Sequence, residues 1–158
     1  MQLETKSAAE TRRVGRRIGE ALGQGDLIAL FGELGAGKTC LTQGIATGLD
    51  IKGNVSSPSF VIIKEYRGRL PLYHIDFFRL QTVKEIESTG YDEYICGEGV
   101  TIIEWAEKIE DILPEKYFRI ELIISGKNKR RILFKPVGED YERIAREVYE
   151  NSGAGYLK

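Results

Sequence analysis

Residues 27–49, LIALFGELGAGKTCLTQGIATGL, hold an apolar run, a glycine-rich turn and then apolar residues at steps of four. The run 27–31 is short and continuous, as a buried strand is. Gly32, Gly35 and Gly37 interrupt it, and Leu41, Ile45 and Leu49 then keep helical spacing. The stretch predicts strand, glycine loop, helix. Inside it, GELGAGKT (32–39) satisfies G-x-x-x-x-G-K-[ST] in the context that pattern requires. Glycines let successive backbone N–H groups converge on an anion, and the N-terminus of the helix adds its partial positive charge. Gly32, Glu33, Leu34, Gly35, Ala36 and Gly37, with Lys38, Thr39 and Cys40, are therefore the expected cradle of a nucleoside triphosphate. Lys38 would reach the β and γ phosphates as a point charge, and the Thr39 hydroxyl would face Mg²⁺.

Such a loop needs an acidic partner on a neighbouring strand to hold the magnesium or its waters. VTIIE (100–104) reads as a strand buried on both faces and ends in a carboxylate, followed by the only tryptophan of the chain. Asp76 ends LPLYHID (70–76), a run interrupted by Pro71 and His74. Strand pattern selects Glu104 as a direct or water-mediated magnesium ligand and keeps Asp76 as the second acid. Which of the two touches the metal stays open. His74, the sole histidine, reads as structural or hydrogen-bonded, and Trp105 as either a wall of the site or a core aromatic.

Working outward, Ser7–Glu10 has capping-box spacing, with Val14, Ile18, Ala21 and Leu22 on one helical face behind it. SFVIIKEY (59–66) and 70–76 flank Arg67-Gly68-Arg69 as a hairpin, and 83–88 reads as a short helix. A helix is expected over 106–113, stopped by Pro114. A second hairpin pairs 118–125 with 130–136 around GKNK, and a last helix covers about 139–150. The expected fold is α/β: one P-loop NTPase-like domain over 1–158, a central mixed sheet with helices on both faces and antiparallel hairpins. The tail 151–158 is expected to fray.

Totals narrow the class further. With 158 residues, 30% charged and 42% hydrophobic, the chain has the composition of a soluble domain. A net charge of −1 gives no general attraction to nucleic acid or membrane. No apolar run reaches the ~20 residues of a membrane span, and MQLETKSAAE lacks a signal-peptide core, so a cytoplasmic location is expected. Cys40 and Cys96 are too few for a disulfide framework or a metal cluster. The base-reading N-K-x-D of a GTPase is missing, since Asn128-Lys129 is followed by two arginines. A small-molecule or nucleotide kinase stays open as the alternative, with Lys127, Lys129, Arg130 and Arg131 as lid candidates. Arg12, Arg13, Arg16 and Arg17 share a helical face that a nucleic-acid module could use, but Glu10 and Glu20 flank it, which favours a solvated face.

From AETRRVG through GELGAGKT, NVSSPSF, YHIDFFRL and IIEW to the arginines of the second hairpin, the sequence resembles the TsaE (YjeE) family of small P-loop ATPases. These act in bacterial tRNA threonylcarbamoyladenosine (t6A) biosynthesis. The resemblance spans about residues 8–131. It implies ATP and Mg²⁺ as cofactors, TsaD and TsaB as partners, and tRNA met only through their complex. It puts the loop's functional residues on Lys38 and Thr39, the Walker-B-like aspartate on Asp76 and the Glu-Trp pair on Glu104 and Trp105. It implies further that Ser57 and Ser59 lie in a switch segment near the γ-phosphate, and that Thr11 and Arg130 approach the nucleotide. Ser59 in place of threonine, Phe77-Phe78 in place of Leu-Tyr, Ala106 in place of proline and Cys40 in place of threonine depart from the pattern. None removes a phosphate or metal group.

Overall fold

The computed structural model describes residues 1–56, 62–95 and 97–152. Along the chain run β1 (Gln2–Thr5), α1 (Ala8–Ala21), β2 (Leu27–Phe31), α2 (Lys38–Gly48), β3 (Ile63–Tyr66), β4 (Leu72–Asp76), α3 (Val83–Glu87), β5 (Val100–Glu104), β6 (Tyr117–Ile124), β7 (Arg130–Val137) and α4 (Glu139–Asn151). Two 3₁₀ segments, Tyr91–Glu93 and Ala106–Ile112, interrupt the connections.

The strands form one seven-stranded sheet in the order β1-β7-β6-β2-β5-β4-β3. Its centre is parallel, β2 pairing with both β5 and β6 and β4 with β5. Its two sides are antiparallel, through the β3–β4 and β6–β7 hairpins and the β1–β7 pair. Every residue of β2 and of β5 is buried, as parallel strands covered on both faces must be. Alternate side chains sort onto two layers. Ile28, Leu30, Val100 and Ile102 join α1, α2 and α4 in one core cluster. Leu27, Ala29, Phe31 and Ile103 join α3 and the 3₁₀ segments in the other. Helical cover thus lies on both faces, but the long helices occupy only one.

Local signals explain most boundaries. Ser7 caps α1 by accepting from the Glu10 N–H at 3.1 Å, while Glu10 accepts from the Lys6 N–H at 2.6 Å. At the other end, Arg69 from the first hairpin turn donates to the Gly19 carbonyl at 2.8 Å and the Leu22 carbonyl at 3.3 Å. A cation so placed adds a donor to carbonyls at the C-terminus of the helix, where the run of helical amides gives out.

Some expectations are corrected. Residues 106–113 do not form an α-helix: they are 3₁₀, kinked at Ile109 (φ −126°), because Trp105 enters them from a left-handed backbone. In the described residues the first hairpin strand runs over Ile63–Tyr66; residues 57–61, on which its expected start falls, lie outside the described residues. The last helix continues through Asn151, and Ser152 is buried with its hydroxyl on the Val148 carbonyl; the rest of the expected frayed tail, 153–158, is also outside the described residues. Strand β1 was not legible in the sequence. It is four residues long, and only Leu3 and Thr5 point inward.

Helices α1 and α2 touch backbone to backbone. A Cβ on Gly15 would lie 2.4 Å from the Leu41 carbonyl oxygen, and one on Gly44 would lie 2.1 Å from that of Arg12. Gly19 and Gly48 repeat the arrangement one turn on, at 2.2 Å each. Alanine is favoured over glycine inside a helix by about 1 kcal/mol. Here overpacking, at about 1–3 kcal/mol, is expected to win. Gly15→Ala should therefore lower the unfolding free energy in urea titrations, whereas Gly23→Ala, whose Cβ would meet nothing closer than 3.8 Å, should not.

Candidate functional site

Strands β2, β4 and β5 run parallel and end at the same edge of the sheet, the edge at which open α/β sheets bind ligands. The chain leaves β2 into the loop 32–37, whose Gly32, Gly35 and Gly37 have φ of 152°, 82° and 104°. These values suit glycine and almost nothing else. Gly37 is also the N-cap of α2 and has no side chain to offer, so the first-turn amides of that helix stay available to an anion.

Lys38 folds back over the loop. Its ammonium donates to the Gly32 carbonyl and, at 3.2 Å, to the Glu33 carbonyl, and it lies 3.7 Å from the centroid of the Trp105 ring. Only 5% of the residue is exposed. Burial pushes its pKa down; the negative charges of Glu107, Glu104, Asp76 and Glu33 oppose this and favour the ammonium. In this state the carbonyls and the indole face occupy a charge that a phosphate would claim.

Asp76 and Glu104 are register partners at the ends of β4 and β5, and both sit on the α2 side of the sheet. Glu104 is 2% exposed. A carboxylate so deeply buried requires hydrogen-bond partners, and it has them. Thr39 Oγ1 donates to Oε1 at 3.4 Å, and the ring Nε2 of the fully buried His74 meets Oε2. The Asp76 carboxylate accepts from the Phe78 N–H at 2.9 Å. Trp105 then turns the chain with φ 61°, a left-handed conformation that costs a non-glycine residue roughly 1–2 kcal/mol. Strain of that kind persists only where surrounding packing imposes it. Here the indole is held between Lys38 and the Phe78 ring, the latter at 5.0 Å.

The resulting cleft, about 270 Å³, is lined by residues 34–40 together with Asp76, Phe78, Glu104 and Trp105. Its donor set comprises amides, one lysine, one hydroxyl and two carboxylates. Hard oxygens on one or two carboxylates, with room for phosphate, suit Mg²⁺ rather than a softer metal. The described residues contain no group of three or more His, Cys, Asp or Glu able to hold a metal unaided, so waters or phosphate oxygens would complete its shell.

The family model for TsaE, threonylcarbamoyl adenosine biosynthesis protein, matches residues 5–132. The chain belongs to the TsaE family. It is 42% identical to the Bacillus subtilis tRNA threonylcarbamoyladenosine biosynthesis protein TsaE, over 94% of this chain and 93% of that protein. The Treponema pallidum TsaE is 39% identical over 84% of this chain and 98% of its own length. In three dimensions, the crystal structure of Bacillus subtilis YdiB superposes with a TM-score of 0.83 at 38% identity, covering 97% of this chain and 96% of that one.

Within this TsaE-family fold, the remaining candidate residues occupy different places. Thr11 is buried and its hydroxyl shares a 2.7 Å hydrogen bond with that of Thr5, which ties α1 to β1; it does not line the cleft. Cys40 lies at the cleft edge, its thiol donating to the Ala8 carbonyl at 3.3 Å and receiving Arg12 at 3.7 Å. Burial raises its pKa, with Arg12 pulling the other way, which favours the neutral thiol. Ser59 lies outside the described residues. Arg130 comes to the loop from β7, but its guanidinium is spent on backbone: Nε donates to the Ala36 carbonyl and Nη2 to the Gly35 carbonyl, both at 3.1 Å. Nη1 holds carbonyls of the hairpin turn, Lys129 at 2.9 Å among them.

Two contributors went unread in the sequence. Phe78 walls the cleft while 47% exposed, and Glu107 accepts from the Gly32 N–H at 3.1 Å. Phe78 lies within YHIDFFRL, but its ring's place beside Trp105 depends on the turn there, and Glu107 carries no motif. Because Arg130 braces the loop through carbonyls, Arg130→Ala should loosen residues 35–36. Hydrogen bonds from a charged donor contribute about 1.5–3 kcal/mol. Amide hydrogen exchange at Gly37 and Lys38 should accelerate by roughly tenfold or more in this variant; unchanged exchange would show that the contact does not stiffen the loop.

Proposed function

We propose that this chain is a Mg²⁺-dependent ATPase that acts in tRNA t6A biosynthesis, working on a TsaD–TsaB complex in the cytoplasm. One observation carries the reading. Three parallel strands deliver the phosphate-type loop, Thr39, Glu104 and Asp76 to a single cleft. Family membership supplies the pathway, and the names of the related proteins state it. A cytoplasmic setting agrees with the described residues, in which no helix is long and apolar enough to cross a membrane.

In this reading the triphosphate lies on the amides of 33–39 and Lys38 exchanges its carbonyl and indole contacts for phosphate oxygens. Thr39 and Glu104, with Asp76 beside them, would hold Mg²⁺, which supplies charge neutralisation along the triphosphate. Water attacks the γ-phosphorus in line; its bond to phosphorus forms as the bond to the bridging oxygen breaks and ADP leaves. Positioning and charge account for the rate, because phosphoryl transfer asks little covalent chemistry of the protein. Arg130 already serves the loop and the hairpin carbonyls, so it is not free for the transition state. Turnover is accordingly slow alone and rises when partners complete the site. The base would be adenine, consistent with the missing guanine-reading motif. The transfer of the threonylcarbamoyl group would belong to TsaD, and tRNA would be met through the complex.

The direct test measures phosphate release from Mg-ATP by the purified chain, alone and with TsaD and TsaB. Release should be weak alone and should increase with the partners. Phosphate found on an organic acceptor would instead select a kinase. Lys38→Ala should abolish nucleotide binding in calorimetry. Glu104→Ala should keep part of the affinity while hydrolysis falls by about 10²–10³-fold; undiminished turnover would overturn the role given to Glu104.

A further inference from the structure

Among the described residues, His74 is the one fully buried titratable side chain that this mechanism leaves unused. It lies mid-strand on β4 with Leu72 and Asp76 on the same face, diagonal to Glu104 across the β4–β5 pair. Its Nε2 meets Glu104 Oε2, while Thr39 holds Oε1. Its other nitrogen, Nδ1, is buried and has no hydrogen-bond partner among the described residues. A carboxylate can only accept, so Nε2 is the N–H and Nδ1 is the bare lone pair. The donation from Nε2 fixes the direction of the Glu104 carboxylate. Imidazole is also stiff enough to hold one carboxylate rotamer inside a packed layer.

We infer that His74 is a positioning residue for the metal side of the site: by donating from Nε2 it holds the Glu104 carboxylate turned toward Thr39 and ready for a divalent cation. The inference rests on the nucleotide–magnesium reading above and adds to it a group that contacts neither ligand. Partners of this kind tune metal affinity through the ligand they orient.

The chain has a single histidine, so its ring can be followed directly in the tag-free protein. Nitrogen-detected NMR of the ligand-free protein should show one tautomer, protonated at Nε2, with that proton protected from exchange with water. Calorimetry then compares ATP binding in Mg²⁺ and in EDTA for wild type, His74→Phe and His74→Gln. Phenylalanine keeps the ring's bulk without the donor, and the terminal amide of glutamine can place an N–H near the position of Nε2. In His74→Phe the affinity in Mg²⁺ should fall about 10–100-fold, as removal of such partners does, while the affinity in EDTA stays. His74→Gln should recover most of the loss. A ring protonated at Nδ1 instead overturns the inference, as does a His74→Phe variant that keeps the full Mg²⁺-dependent gain, or glutamine performing no better than phenylalanine. Wild-type protein binding ATP equally with and without Mg²⁺ overturns the reading of the site as well. A wild-type gain that survives in His74→Phe removes only the role of His74.

Discussion

The closeness of α1 and α2 sets the geometry of everything at the loop. With Cβ atoms at 15, 19, 44 and 48, contacts of 2.1–2.4 Å to opposing backbone would force the helices apart. Glycine at these positions lets α2 lie against α1 over its whole length, which fixes where its N-terminus points. That N-terminus is the end of the phosphate-type loop. The same approach brings the Ala8 carbonyl and Arg12 onto Cys40, two residues into α2. Each glycine costs the helix some propensity, and the close packing of two helix backbones offsets it. Thr11 completes the arrangement by tying α1 to the edge strand through Thr5.

A second constraint follows from the sheet. Parallel strands buried on both faces admit few polar side chains, yet β4 and β5 place His74, Asp76 and Glu104 on one face. The pairing of His74 with Glu104 makes that tolerable, because Nε2 and the carboxylate meet at the level where the apolar layer ends. Beyond it the chain must leave the sheet at once. Trp105 does so from a left-handed backbone, and its ring becomes the surface on which Lys38 rests. The strained residue and the buried carboxylate are therefore parts of one device: a strand that stops where the cleft begins.

The parts of this architecture visible in the sequence are those with a strong local pattern. The apolar run 27–31, the glycines of 32–37 and the four-residue spacing of α2 give strand, loop and helix without ambiguity. VTII likewise singled out Glu104, because β-branched runs belong to covered layers, where a carboxylate is rare unless it is paired. β1 was invisible because four residues pairing with the sheet edge bury only two side chains. The segment after Trp105 carries helical periodicity but is wound as 3₁₀, since its entry angle is set by packing of the indole and not by its own residues. The hydrogen bonding expected of His74 is present, but its partner could not be named until β4 and β5 were aligned.

By itself, then, the sequence determined the strand, glycine loop and helix, the two acids at strand ends and the family, because each depends on residue types at short spacings. The tertiary structure decided which groups those acids meet. It turned Arg130 onto loop carbonyls, put Thr11 against β1, drew Phe78 to the cleft and set Glu107 on the Gly32 amide. Such contacts join residues tens of positions apart through strand register and helix packing. No local pattern encodes them, because the burial that enforces them exists only once the sheet has formed.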